Sequence, residues 1–336
     1  MFITPKTLKQ EQPLSDDLSY TINRWRGEIT AILKGDDERQ LLIVGPCSIH
    51  NVQSAFEYAA RLKNLADTVR ESFFIVMRTY FEKPRTCSGW KGLLYDPHLD
   101  GSCDIITGLR RTRAFLIELA QLGIPAATEF LDPHATPYFH DLISWGCIGA
   151  RTSESQIHRQ LATVLPMPIG FKNRPDGSIE PAVCGILQAQ CPQRFLGMDE
   201  EGKIGIIQGQ GNTFPHLVLR GGEKGPNYSA TSIMHAHNRL QSFDLPQTVI
   251  VDCSHDNSRK NPHTQSAIFR SLIHCNSPRV QGIMLESFLQ EGKQQVSSHV
   301  TSDISCTDPC LSWEATAAVI TEGAEEVMKT RVLSNV

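Results

Sequence analysis

Four residues far apart in the chain carry side chains that together can hold a divalent transition metal: Cys47, His255, Glu286 and Asp308. Thiolate, imidazole and carboxylate suit such an ion as a mixed ligand set. Cys47 follows the apolar run LLIVGP, His255 follows TVIVDCS, and Glu286 closes GIMLE. Asp308, in CTDPCLSWE, offers a further oxygen. Their separation in sequence excludes a compact zinc finger and points to an open site assembled by a large fold. A lone histidine after a strand is more often a framework hydrogen-bonding residue, so the reading rests on the set. Cys306 and Cys310 flank Asp308 at C-x3-C, without the second pair that a zinc ribbon needs. Cys47 as a nucleophile needs a base, and His50 is near in sequence, but the Gly-Pro-Cys turn gives no specific sign of a dyad.

A second set is cationic. Arg78, Arg151, Lys172 and Arg220 each close an apolar run, and Lys83 and Arg85 follow in the loop YFEKPRT. A guanidinium fork bonds phosphate or carboxylate oxygens in pairs. One such arginine is most simply a surface cation. Several together imply a substrate with more than one anionic group. Glu129 closes PAATEF in the same way.

The elements that must position these residues are short apolar runs alternating with helical segments. The runs are LLIVGPC, FFIVMRT, PAATEF, CIGAR, PIGFK, RFLGM, LVLRGG, TVIVDCSH and GIMLES. Several are apolar on consecutive residues, the pattern of parallel strands buried on both faces. QSAFEYAARLKNLAD, GLRRTRAFLIELAQL, TPYFHDLISW and ESQIHRQLATVL have helical spacing. Repeated strand–helix units of this number predict a (β/α)8 barrel over 41–336, with chemistry at the C-terminal strand ends. Nine runs are one too many. RFLGM and LVLRGG, joined by GKIGIIQGQGNTF, are read as one elaborated unit with a side hairpin near the sixth strand. Residues 1–40 form an N-terminal extension. In it LSYTINRWRGEITAILKG predicts a helix capped by Ser15 or Asp16 and ended by Gly35. Alternation turns Cys253 away from its neighbours, into packing.

Composition narrows the class. The 336 residues are 40% hydrophobic and 20% charged, as in a globular protein. A net charge of −4 argues against a broad basic face for nucleic acid. No apolar run is long enough for a membrane span, and the polar N-terminus has no signal-peptide core. A reducing cytoplasm is expected, with the ten cysteines as free thiols. GxGxxG with a downstream acid and GxxxxGK[ST] are both missing.

The motifs GPCSIH, YFEKPRT with GWKG and DPHLDGS, AATEFLD, SWGCIGARTSESQIHR, GFKN, LRGG…PNYS, VDCSHDNS and MLESFLQEG closely resemble the type I 3-deoxy-D-arabino-heptulosonate 7-phosphate (DAHP) synthases. The resemblance runs from about residue 20 to the C-terminus. It implies a TIM barrel that condenses phosphoenolpyruvate with erythrose 4-phosphate, the first step of the shikimate pathway, with one divalent metal per subunit. Carried over by motif, the metal ligands are Cys47, His255, Glu286 and Asp308. Phosphoenolpyruvate falls to Arg78, Lys83, Arg151, Lys172 and Arg220. Erythrose 4-phosphate meets Lys83, Arg85 and Thr86, with Pro84 shaping the loop. Lys172 and Glu129 are expected to handle protons. The ligand set admits Mn, Fe, Co or Zn, and the family suggests a homodimer or homotetramer.

Departures from the family lie elsewhere. The N-terminal arm of feedback-inhibited members is represented only by its later part. Pro137 replaces the usual Gln of TPQY, Pro166 the Ser of LSCP, and FKNRPDG stands for FKNGTDG. The first two fall where aromatic amino acids bind in regulated members, so weak or altered feedback is expected. The sister KDO 8-phosphate synthases carry Lys-Ala-Asn-Arg-Ser where this chain has Lys83-Pro84-Arg85-Thr86. A Schiff-base aldolase on Lys172 needs no metal, and an inactive regulatory paralogue is expected to have lost part of the site.

Overall fold

The computed structural model describes residues 3–85, 89–274, 280–296 and 299–334. Two helices come first: α1 (Pro5–Glu11) and α2 (Asp16–Lys34). Ser15 caps α2, its Oγ accepting from Leu18 N, and Gly35 ends it with φ 87°, a left-handed conformation that glycine adopts freely. Strands β1 (Gln40–Gly45), β2 (Phe73–Arg78), β3 (Ala126–Glu129), β4 (Ile143–Ile148) and β5 (Ile169–Lys172) follow. Next come β6 (Gln193–Met198) and β7 (Ile204–Gly209), then β8 (Pro215–Leu219), β9 (Val249–Asp252) and β10 (Gly282–Glu286). Eight of these close a parallel barrel in the order β1-β10-β9-β8-β5-β4-β3-β2, while β6 and β7 pair as an antiparallel hairpin.

The consecutive apolar residues serve two cores. Leu41, Ile43, Val76, Trp145, Val218, Ile250 and Met284 fill the barrel interior. Their neighbours Leu42, Val44, Ile75 and Val251 face outward. They pack under a ring that includes α3 (Val52–Thr68), α4 (Ile105–Gln121), α5 (Gln156–Ala162) and α6 (Glu180–Gln190). α7 (Ala230–Gln241), α8 (Pro262–His274) and α9 (Trp313–Ser334) complete it. Two-sided burial is why these strands do not alternate. α2 closes the N-terminal end: its Ile29, Ile32 and Leu33 join the interior cluster, and Thr248 Oγ1 donates to Leu33 O (3.0 Å).

The ninth apolar run is resolved by the hairpin. RFLGM pairs with IGIIQG, outside the barrel, and LVLRGG supplies the sixth barrel strand. TPYFHDLISW is not a helix. It forms two short 3-10 turns, Thr136–Tyr138 and His140–Leu142, and Ile143 then begins β4, four residues before CIGAR. Pro137 suits the first turn, but Phe139 leaves helical geometry (φ −135°), and Ile143–Trp145 is buried as a strand. α1 went unread because its apolar content is one buried leucine and one proline.

One buried titratable group sits in the barrel centre. Trp145 Nε1 donates to His216 Nε2 (3.1 Å), so His216 carries its proton on Nδ1, toward Phe214 O (3.0 Å). Burial pushes this imidazole down to about 4, with the Phe214 bond opposing. Unfolding returns it to about 6.5. The unfolded state therefore binds more protons between those values, and stability is lost as pH falls through that window. Chemical denaturation of the wild type and His216→Asn across it should show a flatter pH dependence in the variant. Parallel curves would remove His216 from the acid sensitivity.

Candidate active site

The strand ends bring the chemistry to one mouth. Arg78, Glu129, Lys172, Asp252 and Glu286 are the last residues of their strands, Cys47 lies two residues beyond β1, and Arg220 directly follows β8. Lys83, Pro84, Arg85, Arg151, Lys172 and Arg220 share one cavity of about 220 Å³. Glu129, His255 and Asp308 line it too. Thr86 lies outside the described residues. Gly149 is required here for close approach, since a Cβ would fall 2.1 Å from Glu129 Oε1.

Cys47, Glu286 and Asp308 form a donor cluster, with one sulfur or oxygen from each within 4.8 Å of the others. A mixed thiolate–carboxylate set fits a divalent transition ion. His255 stands beside this cluster rather than inside it. Its Nδ1 lies 2.9 Å from Asp252 Oδ2. Lys83 Nζ donates to Cys47 O (3.1 Å) and Cys47 Sγ (3.2 Å), and Asp308 N donates to the same sulfur (3.4 Å). Burial, then Glu286, pushes the Cys47 thiol up, with Lys83 opposing. Glu286 is held down by His255 and Arg78 against the burial that would raise it.

Lys172 is the centre of a second network. Its ammonium lies 3.4 Å from Asp252 Oδ2 and 3.7 Å from Glu129 Oε2. Burial works against the charge, but Asp252, Cys147 and Glu129 outweigh it and raise the ammonium's pKa. Arg220 pairs with Asp256. Its backbone N–H donates to Asn173 Oδ1 (2.8 Å), which fixes the turn after β8. Arg151 is exposed and has no carboxylate partner among the described residues.

Arg78 lies deeper than the other cations. It is fully buried and does not line the cavity. Its Nη2 donates to Glu286 Oε1 (3.0 Å), its Nε to Pro46 O (3.3 Å), and its guanidinium stacks 4.0 Å from the Tyr80 ring centroid. His50 is a framework residue, bonded to Thr301 O and edge-on to Phe288. The eight described cysteines are all free thiols, and Cys253 is buried as expected.

Sequence reasoning missed several partners. Ser254 Oγ donates to Glu286 Oε2, and Thr307 and Lys260 line the cavity. Glu82, next to Lys83, is buried; burial and then Asp132 push it up to about 8, and Tyr95 bonds both carboxyls. That contact ties the EKPR loop to the turn after β3. The motifs YFEKPRT and AATEFLD were the available signal, but pairing them required the fold.

Comparison with known proteins agrees with this geometry. Residues 9–321 match the model of the DAHP synthetase I family. A Tyr-sensitive phospho-2-dehydro-3-deoxyheptonate aldolase of Salmonella typhimurium is 45% identical over 96% of this chain and 92% of its own. A Trp-sensitive relative from Escherichia coli K12 is 44% identical over 97% of this chain and 94% of its own. The solved phospho-2-dehydro-3-deoxyheptonate aldolase of Francisella tularensis superposes with a TM-score of 0.94 at 40% identity, covering 98% of this chain and 97% of that one. The chain belongs to the DAHP synthetase I family, metal-dependent transferases of the first step of aromatic biosynthesis.

Proposed function

We propose that this cavity joins phosphoenolpyruvate to erythrose 4-phosphate, releasing DAHP and phosphate, and that Cys47, His255, Glu286 and Asp308 hold its metal. The carrying observation is a sulfur–oxygen donor cluster directly beside a cavity lined with cations. A divalent ion there (Mn, Fe, Co or Zn) supplies Lewis-acid polarisation of the aldehyde oxygen. Arg151, Arg220, Lys172 and Lys83 hold the phosphate and carboxylate of phosphoenolpyruvate. Lys83, Arg85 and Thr86 receive erythrose 4-phosphate on the loop that Pro84 shapes. Arg78 acts from below, orienting Glu286. Two mutually repelling anions are thereby held at reacting distance.

C3 of phosphoenolpyruvate attacks the aldehyde carbon, whose oxygen takes up a proton; water adds at C2 and gives up a proton in turn; and the tetrahedral intermediate passes its hydroxyl proton to the departing phosphate as the C2 carbonyl forms. Lys172 donates and Glu129 accepts the protons around C2 and its water, two partners already 3.7 Å apart. The raised pKa of Lys172 speaks against the rival Schiff-base reading, which needs a neutral amine. The subunit is read as part of a homodimer or homotetramer. Support comes from Leu196, Ile204 and Ile206, which stand exposed on the β6–β7 hairpin.

Feedback is read as weak or altered. Pro137 lines a groove of about 380 Å³ between the turns after β3 and the hairpin, with Leu165 and Phe195; Pro166 is exposed and does not line it. A proline there offers no side-chain amide to a bound amino acid's charged groups.

Three outcomes follow. Cys47→Ser should lose metal and turnover together while the barrel still folds, with the unfolding midpoint of the chelator-stripped wild type; metal analysis showing full occupancy would remove Cys47 from the ligand set. Lys172→Met should lower kcat by about 10²-fold or more, measured as phosphate release with both substrates, with and without chelator. Intact turnover there, alongside loss in Arg151→Ala, would leave Lys172 as a binding residue. Phe, Tyr and Trp at micromolar concentration should leave the initial rate nearly unchanged, and strong inhibition by any of them would overturn the feedback reading.

A further inference from the structure

The loop that carries Lys83, Pro84 and Arg85 is anchored by residues with no place in the scheme above. Its two limbs run side by side: Lys83 N donates to Lys91 O (2.9 Å) and Leu94 N to Phe81 O (3.2 Å). Along the first limb the side chains part. Lys83 turns inward to Cys47. Glu82 turns away from the cavity and is buried (3% exposed) against Asp132, in the turn after β3. Tyr95, where the second limb ends, stands between the two acids. Its hydroxyl lies 2.8 Å from Asp132 Oδ2 and 3.3 Å from Glu82 Oε1.

The count of hydrogens decides what this arrangement can hold. A phenol has one O–H to donate, and Tyr95 faces two carboxyl groups. With both acids ionised, one carboxylate is left against the lone pairs of the phenol oxygen, and two negative charges share one site. With a hydrogen on Glu82 the three groups form a continuous chain. Glu82 donates to the Tyr95 oxygen, and Tyr95 donates to Asp132, its closer partner. The two acids are placed unequally. Burial would raise Asp132, but the His134 N–H (2.8 Å) and Tyr95 draw it down. Burial and then Asp132 push Glu82 up to about 8, against the N–H groups of Leu131 and Asp132. Among the described residues no cation pairs with Glu82. Lys83 and Arg85 of its own segment line the cavity, His134 bonds the other oxygen of Asp132, and His158 of α5 reaches Leu131 O.

We propose that Glu82 is the positioning residue of the erythrose 4-phosphate arm: its proton completes a Glu82–Tyr95–Asp132 chain that anchors Lys83 and Arg85 to the barrel, and loss of that proton loosens the arm. Glu82 touches neither substrate and acts through Lys83, one peptide bond away. The sign is fixed by the chain. At neutral pH the chain is complete. As pH rises through the range where Glu82 ionises, two carboxylates face each other across one hydroxyl, and the grip on the substrate phosphate weakens. This inference deepens the function proposed above and rests on its assignment of Lys83 and Arg85 to erythrose 4-phosphate.

The test compares the wild type, Glu82→Gln and Glu82→Leu, each loaded with Co2+, at about pH 7 and about pH 9, on either side of the Glu82 ionisation. Glutamine keeps a donor for Tyr95 and cannot ionise. Leucine removes the donor at every pH. The wild-type KM for erythrose 4-phosphate should rise roughly fivefold between the two pH values, the worth of about one hydrogen bond. In Glu82→Gln it should hold the neutral wild-type value at both, and in Glu82→Leu it should be raised at both, while kcat follows one pH profile in all three. Infrared difference spectra of wild type minus Glu82→Gln should show the carbonyl band of a protonated carboxyl at neutral pH, fading toward pH 9. That readout needs neither turnover nor a folded Glu82→Leu. Parallel KM profiles in wild type and Glu82→Gln would overturn the positioning role, and a difference spectrum without the band would overturn the proton chain. A wild type that releases no phosphate from the two substrates would overturn the function itself, and the arm's role with it, whatever the infrared result.

Discussion

Charge taken out of water must be neutralised on the spot, and the mouth of this barrel is organised by that requirement. Arg78 and Glu286 are both fully buried, and Lys172 sits against buried Asp252 and nearly buried Glu129. Removing one member of such a pair leaves an uncompensated ion, at a cost of roughly 3–5 kcal/mol. The deep charges are therefore mutually dependent, and each comes from the end of a different strand. Shallower cations escape the constraint. Arg85 and Arg151 reach solvent, so they can stand without carboxylate partners until an anion arrives. Depth separates the groups that hold the site together from those that receive substrate.

The same division runs along the barrel axis. At the C-terminal end polar and charged residues converge. In the middle Trp145, Met284 and their neighbours form a buried interior that also holds the neutral His216 and the Tyr80–Cys147 contact. At the N-terminal end α2 seals the interior with aliphatic side chains. A barrel can vary its upper loops without disturbing its lower packing. The hairpin inserted between α6 and β8 shows that freedom, adding a two-stranded sheet without altering the parallel order around it.

Much of this was legible in the sequence because two-sided burial writes strands as unbroken apolar runs, and the first polar residue after each run falls at the mouth. That rule found Cys47, Glu129, Lys172, Arg220 and Glu286. It says least where direction depends on more than position along a strand. Arg78 ends its strand like the others, yet it turns beneath Glu286, because Pro46 O and the Tyr80 ring capture its guanidinium. Lys260 was passed over because its aim depends on a left-handed backbone, and no apolar pattern encodes that. The start of β4 was hidden by Pro137 and aromatic residues that mimic helical spacing before the chain straightens. Family motifs supplied roles that pattern alone left open, above all which cations belong to which substrate.

The position of α2 bears on how the chain reaches this state. It is synthesised near the start, and its apolar face is complete at once. The surface that receives Ile29, Ile32 and Leu33 also needs Ile250 and Met284, from the last two strands. Barrel closure itself joins residues 41–45 to residues 282–286. The apolar face of α2 therefore meets its full partner surface only once the last barrel strand is in place. Contacts between segments so far apart in sequence make closure of this barrel an intrinsically slow step of its folding.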